Sequence, residues 1–270
     1  MRTTRKSQAQ ASRILVIVPT LRERTNIIAM TEALGTLPGA GAGAVDLLVI
    51  DDASDDGTPQ ALRELMARGH RLTVLNRPGR RGLGTAYTLG LAYARRGGYR
   101  HVVQMDADGS HEPAMIPDLI EAVSDADSPD MSIGSRYVRG GGAEGWSRRR
   151  WWLSRLANCL ARTVVGGGVR DVTAGFRCTR VALLRTLPLE RLLSRGFSWQ
   201  WEFNRLVLAA GGRVTEVPIR FRERAAGRSK LTWTIAWEGL IRLFQLHLAA
   251  RPPIRTRGER PAAPKPSPIH

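Results

Sequence analysis

Short apolar runs alternate with amphipathic stretches through the first half of the chain. Arg13 to Val18 is an almost unbroken apolar run closed by Pro19, the pattern of a strand covered on both faces. A helix is expected from about Arg24 to Leu34, then a second buried strand from Val45 to Ile50 ending at Asp51-Asp52. Thr58 followed by Pro59 reads as an N-cap with proline at the first helical position, opening a helix to about Arg68. Arg71 to Leu75 reads as a strand, Gly84 to Ala94 as a helix, and His101 to Met105 as a strand ending at Asp106. Strand and helix in strict alternation predict an α/β fold with a mostly parallel sheet and helices on both faces. The second half is less regular. Strands are expected at Met131 to Gly134 and Arg213 to Phe221, and helices at Trp151 to Val165, Phe197 to Ala210 and Leu231 to Leu248.

The 270 residues, 43% hydrophobic, suffice for one substantial core. Residues 1–12 form a basic polar head, and residues 251–270 carry six prolines among Arg251, Arg255, Arg257, Arg260 and Lys265. Both ends have the composition of disordered extensions, which leaves 13–250 as one folded unit. The formal net charge is +17; lysine occurs only at Lys6, Lys230 and Lys265, so 38 of the 41 basic residues are arginine. Such a chain is drawn to polyanions: nucleic acid, anionic lipid or phosphorylated substrates. Cys159 and Cys178 lack metal-site spacing and are too few for a disulfide framework, which suits a reducing compartment. The N-terminus has no secretory apolar stretch, and no window holds eighteen consecutive apolar residues. A soluble or membrane-surface protein is expected.

Candidate chemistry concentrates at two strand ends, Asp51-Asp52-Ala-Ser-Asp-Asp-Gly-Thr58 and Asp106-Ala-Asp108-Gly-Ser-His111. In open α/β sheets ligands bind beyond the carboxyl ends of strands. Asp106 and Asp108 project to one side in extended chain, so one or both can meet an oxygen-preferring cation such as Mg²⁺ or Mn²⁺ that also holds substrate phosphates. Turn and cap residues have the same composition. A calcium loop is disfavoured, because the fifth-position acid and the later glutamate are missing.

These residues fall in an ordered series that resembles family 2 glycosyltransferases of the GT-A fold, a Rossmann-like α/β architecture. The series begins with Val18-Pro-Thr-Leu-Arg-Glu23-Arg-Thr-Asn26, Val49-Ile-Asp-Asp-Ala-Ser-Asp-Asp-Gly-Thr58, Gly82-Leu-Gly-Thr-Ala-Tyr87 and Met105-Asp-Ala-Asp-Gly-Ser-His111-Glu-Pro113. It continues with Gly134-Ser-Arg-Tyr-Val138, Asp171-Val-Thr-Ala-Gly-Phe-Arg177, Gln200-Trp-Glu202, Glu216-Val-Pro-Ile219, Arg224 and Gly227-Arg-Ser-Lys230. The order is similar to that of the polyprenyl-phosphate (dolichyl-phosphate) mannose synthase branch over roughly Ile14 to Leu240, and the Asp106 run is especially like its bacterial members.

The resemblance implies transfer of mannose from GDP-mannose to a polyprenyl monophosphate, with inversion, at the cytoplasmic face of a membrane. It places Pro19, Glu23, Asp51 and Asp52 at the guanosine, and Asp106 and Asp108 at the diphosphate and metal, with Ser110 assisting. Arg136, Arg150 and Ser154 fall at positions that grip the acceptor phosphate, Gln200 and Glu202 near the sugar, and Arg224 and Lys230 on a loop closing over the phosphates. Leu21, Arg22 and Ala53 stand where the family commonly has an aromatic residue, asparagine and glycine, and Leu21 cannot stack on a base.

This reaction suits the residues. A phosphate acceptor is already anionic near neutral pH, so no poised histidine is required; what is needed is neutralisation of a departing diphosphate and positioning of an anionic nucleophile. Asp106 and Asp108 would form an acidic corner, Arg136 and Arg150 a basic one. With 38 arginines, most are ordinary solvated surface, and His111 reads as a turn or packing residue. In the last expected helix Trp233, Trp237, Leu240, Ile241, Phe244 and Leu248 share a face, suited to a membrane interface, to the core or to a separate membrane-anchoring protein. In the Trp151 helix, Arg148, Arg155 and Arg162 recur beside tryptophan, and near an anionic surface each charge is worth about 1 kcal/mol. Two rivals stand: another sugar nucleotide such as UDP-glucose, or another acceptor, on the same fold; and a nucleic-acid-binding protein, for which only the charge speaks.

Overall fold

The computed structural model describes residues 13–37 and 45–223. The expected head, tail and Leu231–Leu248 helix, together with Arg224 and Lys230, lie outside the described residues. Strands β1 (Ile14–Thr20), β2 (Val45–Asp51), β3 (Leu72–Asn76), β4 (His101–Gln104), β5 (Met131–Ser135), β7 (Arg177–Arg180) and β8 (Val214–Pro218) form a seven-stranded sheet in the order β3-β2-β1-β4-β7-β5-β8. The helices are α1 (Arg24–Gly35), α2 (Thr58–Ala67), α3 (Leu83–Arg96), α4 (Ile116–Glu121), α5 (Arg148–Val165), α6 (Val181–Leu184) and α7 (Trp199–Ala209). The first four strands are mutually parallel, so β1, β2 and β4 deliver their carboxyl ends to one edge of the sheet.

The apolar runs work as strands because alternate residues feed opposite faces. Leu15, Ile17, Leu48, Ile50 and Val102 pack with Tyr87 and Leu91 of α3 and Trp199 and Phe203 of α7. Val16, Val18, Val49 and Val103 pack on the other side with Ile27, Met30 and Leu34 of α1 and with Leu62. Each fully covered aliphatic side chain contributes about 1.5–3 kcal/mol. Gly90 lets α3 approach the sheet closely, since a Cβ there would come within 2.6 Å of the Ile17 side chain.

Three expectations need correction. Thr58 is not the cap of α2. Gly57 occupies that position with φ 89°, and Asp56 accepts the Thr58 N–H at 3.0 Å and its hydroxyl at 2.6 Å. The strand expected over Arg213 to Phe221 is broken at Pro218, which has no N–H to donate. Beyond it β9 (Arg220–Arg222) leaves the sheet and pairs with β6 (Gly142–Glu144). Finally β7, absent from the sequence reading, inserts antiparallel between β4 and β5. Its Arg177 and Thr179 are fully buried, a composition that does not read as a central strand.

Candidate active site

A cavity of about 260 Å³ opens at the carboxyl ends of β1, β2 and β4. Pro19 lies near the end of β1 and Glu23 follows it, Asp52 follows β2, and Asp106 and Asp108 follow β4; all five line it, together with Arg195 and Phe197. This is the edge where an open α/β sheet binds its ligands.

Asp51 and Asp52, adjacent in sequence, do different work. Asp51 turns away from the cavity: its carboxylate accepts from the Thr20 hydroxyl at 3.0 Å, the Ser54 hydroxyl at 2.6 Å and the Ser54 N–H at 2.9 Å. It braces the turn instead of lining the pocket. Ala53 in that turn has φ 54°. That left-handed conformation favours glycine and explains why glycine is common at this place. Asp52 faces the cavity and accepts from Arg77 Nε at 2.6 Å and from the Arg81 and Gly82 N–H groups at 3.1 and 3.3 Å. Arg77 in turn donates to Thr85 and to the Gly82 carbonyl, so this buried pair shapes the wall that carries Arg80 and Leu83. Glu23 accepts from Asn26 Nδ2 at 2.7 Å.

At the end of β4, Asp106 Oδ1 accepts from the Tyr87 hydroxyl at 2.8 Å. Burial and the Asp106 charge push the Tyr87 phenol well above its usual range, so it stays a donor. Asp108 Oδ1 accepts from the Ser110 N–H at 3.1 Å and its hydroxyl at 2.5 Å. Ser110 therefore orients Asp108 from outside the cavity lining. Among the described residues, no three His, Cys, Asp or Glu side chains cluster to hold a metal by themselves. Two carboxylates in an open cleft do suit Mg²⁺ or Mn²⁺, which usually bind through one or two carboxylates plus substrate phosphates.

His111 sits between two charged corners. Its Nδ1 accepts from the Asp106 N–H at 3.2 Å, and its ring stacks on Phe176 at 5.0 Å with Phe221 edge-on at 5.4 Å. Burial lowers its pKa, against the pull of Asp106 and Asp108, and the ring is a neutral packing group.

On its other side Arg136 forms a two-pronged ion pair with Asp171, Nε to Oδ2 and Nη2 to Oδ1, each 2.8 Å, with Nη2 also reaching the Thr173 hydroxyl at 2.7 Å. Burial disfavours the cation, but the Asp171 charge and hydrogen bonds outweigh it and raise its pKa. The same pairing overcomes burial to hold Asp171 below the usual carboxylate range. The guanidinium lies 5.1–5.7 Å from the rings of Tyr137, Trp146 and Phe221, and Nη1 is outside these hydrogen bonds. Arg150 stacks on Trp146 at 4.5 Å and pairs with Glu223, and Ser154 shares a 2.7 Å hydrogen bond with the Tyr137 hydroxyl. Arg136, Arg150 and Ser154, predicted as one group, are gathered around the same aromatic cluster.

Gln200 and Glu202 lie in the first turn of α7, and neither lines the cavity. Gln200 is buried, and a Cβ on Gly175 would touch both its Nε2 and the Asp106 carboxylate, at 3.4 and 3.2 Å. Glu202 accepts from the Leu193 and Ser194 N–H groups at 3.1 and 2.7 Å. It thereby holds the loop that presents Arg195 and Phe197 to the cavity. That loop rests on Gly82 and Gly84, where a Cβ would approach the Arg195 and Ser194 carbonyl oxygens to 2.6 and 2.4 Å. Sequence reasoning missed Arg77, Arg195, Phe197 and the supporting Tyr87 and Asp171. The last two did fall inside quoted motifs, which was the available signal.

Comparison with known proteins agrees with this geometry. The model of "Glycosyl transferase family 2" matches residues 15–187. Polyprenol monophosphomannose synthase of Mycolicibacterium smegmatis is 39% identical over 240 residues, 88% of each chain. Undecaprenyl-phosphate mannosyltransferase of Micrococcus luteus is 38% identical over 239 residues, 88% of this chain and 96% of that one. In fold, the chain is similar to glucosyl-3-phosphoglycerate synthase of Mycobacterium tuberculosis, solved with Mn²⁺, UDP-glucose and glycerol 3-phosphate. The TM-score is 0.62, with 23% identity, over 88% of this chain and 82% of that one. With a GT-A-like sheet, an acid-lined cleft at its carboxyl edge and a family match over most of the described residues, the chain belongs to glycosyl transferase family 2 and is a glycosyltransferase.

Proposed function

We propose that the protein transfers mannose from GDP-mannose to a polyprenyl monophosphate with inversion, working at the cytoplasmic surface of a membrane with Mg²⁺ or Mn²⁺. The observation that carries this reading is the adjacency of two opposite corners, Asp106/Asp108 and Arg136: His111 accepts from the Asp106 N–H on one side and packs edge-on to Phe221 on the other, and Arg136 lies 5.4 Å from that same ring. Two phosphate-bearing reactants can meet only where both are neutralised. The names of the two mannosyl-transferring relatives support the donor sugar and the acceptor class.

In this reading Asp106 and Asp108 hold the divalent cation, which supplies charge neutralisation for the departing diphosphate. Pro19, Glu23 and Asp52 line the nucleoside end, while Arg136, with Arg150 and Ser154 beside it, positions the acceptor phosphate. An acceptor phosphate oxygen forms the new bond to the anomeric carbon as the bond from that carbon to the diphosphate breaks, and GDP leaves. The nucleophile is already anionic, so neutral His111 has no proton to take. A single displacement by that oxygen inverts the anomeric centre.

The surface of α5 supports the membrane location. Among the described residues no helix is long and apolar enough to cross a membrane. Yet Trp152, Leu153, Leu156 and Leu160 are 66%, 66%, 59% and 46% exposed, on a helix with five arginines and no acid. Apolar side chains flanked by cations suit an anionic interface.

The test is incubation with labelled GDP-mannose, polyprenyl phosphate and Mn²⁺, then organic extraction. Label in the organic phase as a β-linked mannosyl phospholipid is expected. Transfer from UDP-glucose but not GDP-mannose would replace the donor assignment with the rival one.

A further inference from the structure

We infer that Tyr87 is a positioning residue that acts through Asp106, fixing the carboxylate in the one orientation in which it holds the cation. This rests on the assignment of Asp106 and Asp108 as the cation-holding pair. The Tyr87 hydroxyl donates to Asp106 Oδ1 at 2.8 Å from α3, an element that supplies no acid to the cavity. The same carboxylate faces Gly175, where an added methyl group would sit 3.2 Å from Oδ2 and 3.5 Å from Oδ1. Asp106 is thus oriented by a hydroxyl donor on one oxygen, in a space that only glycine at 175 leaves uncrowded.

The donor is itself rigidly mounted. The Tyr87 ring lies 5.4 Å from Trp199, Trp199 stacks on Phe203 at 5.0 Å, and Trp199 Nε1 donates to Thr88 Oγ1 at 2.9 Å. Tyr87 and Trp199 are fully buried. Asp108 receives the corresponding support from Ser110. Each carboxylate of the pair therefore has its own hydroxyl donor, one local and one brought from a distant helix. Partners that orient metal ligands in this way are commonly worth ~10–100-fold in metal affinity.

The experiment is titration of Mn²⁺ into full-length protein with GDP present, followed by calorimetry and by the electron spin resonance of free Mn²⁺. The proteins are wild type, Tyr87→Phe, Asp106→Asn and the double variant. Tyr99→Phe serves as control, since that phenol bonds to Asp46, outside the cavity lining. Tyr87→Phe is expected to weaken Mn²⁺ binding by ~10-fold or more with an unchanged circular dichroism spectrum. In the Asp106→Asn background it is expected to do nothing further, because its only route to the cation is gone. Tyr99→Phe should leave binding at the wild-type value. Equal Mn²⁺ affinity in wild type and Tyr87→Phe would overturn the inference and leave the metal assignment standing, as would losses that simply add in the double variant. A wild type that binds no Mn²⁺ with GDP would overturn the metal assignment and this inference together.

Discussion

Replacing Asp171 by alanine tests the basic corner most sharply. The carboxylate accepts from Arg136 N, Nε and Nη2 and from the Thr173 hydroxyl, at 2.8–3.0 Å, and is wholly buried. Its removal strands a buried guanidinium. Breaking one side of a buried ion pair costs about 3–5 kcal/mol, a large part of the roughly 5–15 kcal/mol that holds a domain together. For a domain of this size 1 kcal/mol corresponds to about 2–4 °C, so the unfolding midpoint should fall by roughly 6–20 °C. Urea denaturation followed by circular dichroism measures the difference directly. The double variant Asp171→Ala/Arg136→Met should recover part of the loss, since no unpaired charge remains. The pH dependence has a definite sign. Because the folded-state pKa of Asp171 is lowered, its contribution is present above the unfolded carboxylate value and lost as pH falls through the folded one. An Asp171→Ala protein within about 1 kcal/mol of wild type would refute the claim that this pair holds Arg136 in place.

Two further outcomes follow from the same structure. Leu153→Asp with Leu156→Asp, at two exposed positions of α5, should abolish flotation with vesicles containing anionic phospholipid while leaving the thermal midpoint unchanged; undiminished flotation would remove α5 from the membrane account. His101 is buried and its pKa is lowered to about 4, first by burial and then by Arg100. The unfolded chain takes up a proton that the folded one refuses, so stability should decline as pH falls from about 6.5 toward 4. His101→Gln should flatten that decline in a series of urea midpoints, and an unchanged slope would show that the histidine is not its source.

The first half of the fold was legible because its strands are apolar and its helices amphipathic. Val16 and Ile17 are both apolar and both buried, on opposite faces. β7 was not legible, because Arg177 and Thr179 look like surface residues; what tolerates Arg177 inside is Asn204 and the Ala174 carbonyl, partners that only the tertiary structure supplies. The same reason limits the site. Asp51 and Asp52 are one residue apart and chemically identical, and only the hydrogen bonds of Thr20 and Ser54 show that Asp51 belongs to the turn. Glu202 looked like a group beside the sugar, yet its carboxylate is engaged by the backbone of the loop before α7. By contrast Arg136, Arg150 and Ser154, named together from the resemblance, do lie around one cluster of Tyr137 and Trp146, although only Arg136 falls inside a quoted motif. Arg224 and Lys230 remain an expectation of the sequence.

The central claim is that the Asp106/Asp108 corner binds a divalent cation together with the diphosphate of the donor. The affinity for GDP, measured by calorimetry with and without Mn²⁺ in wild type and in Asp108→Ala, tests it most directly. Tight binding by wild type only when Mn²⁺ is present, with no response to the metal in a folded Asp108→Ala protein, is the predicted result. GDP binding by wild type that ignores the metal, or an Asp108→Ala protein that still responds to it, would contradict the account.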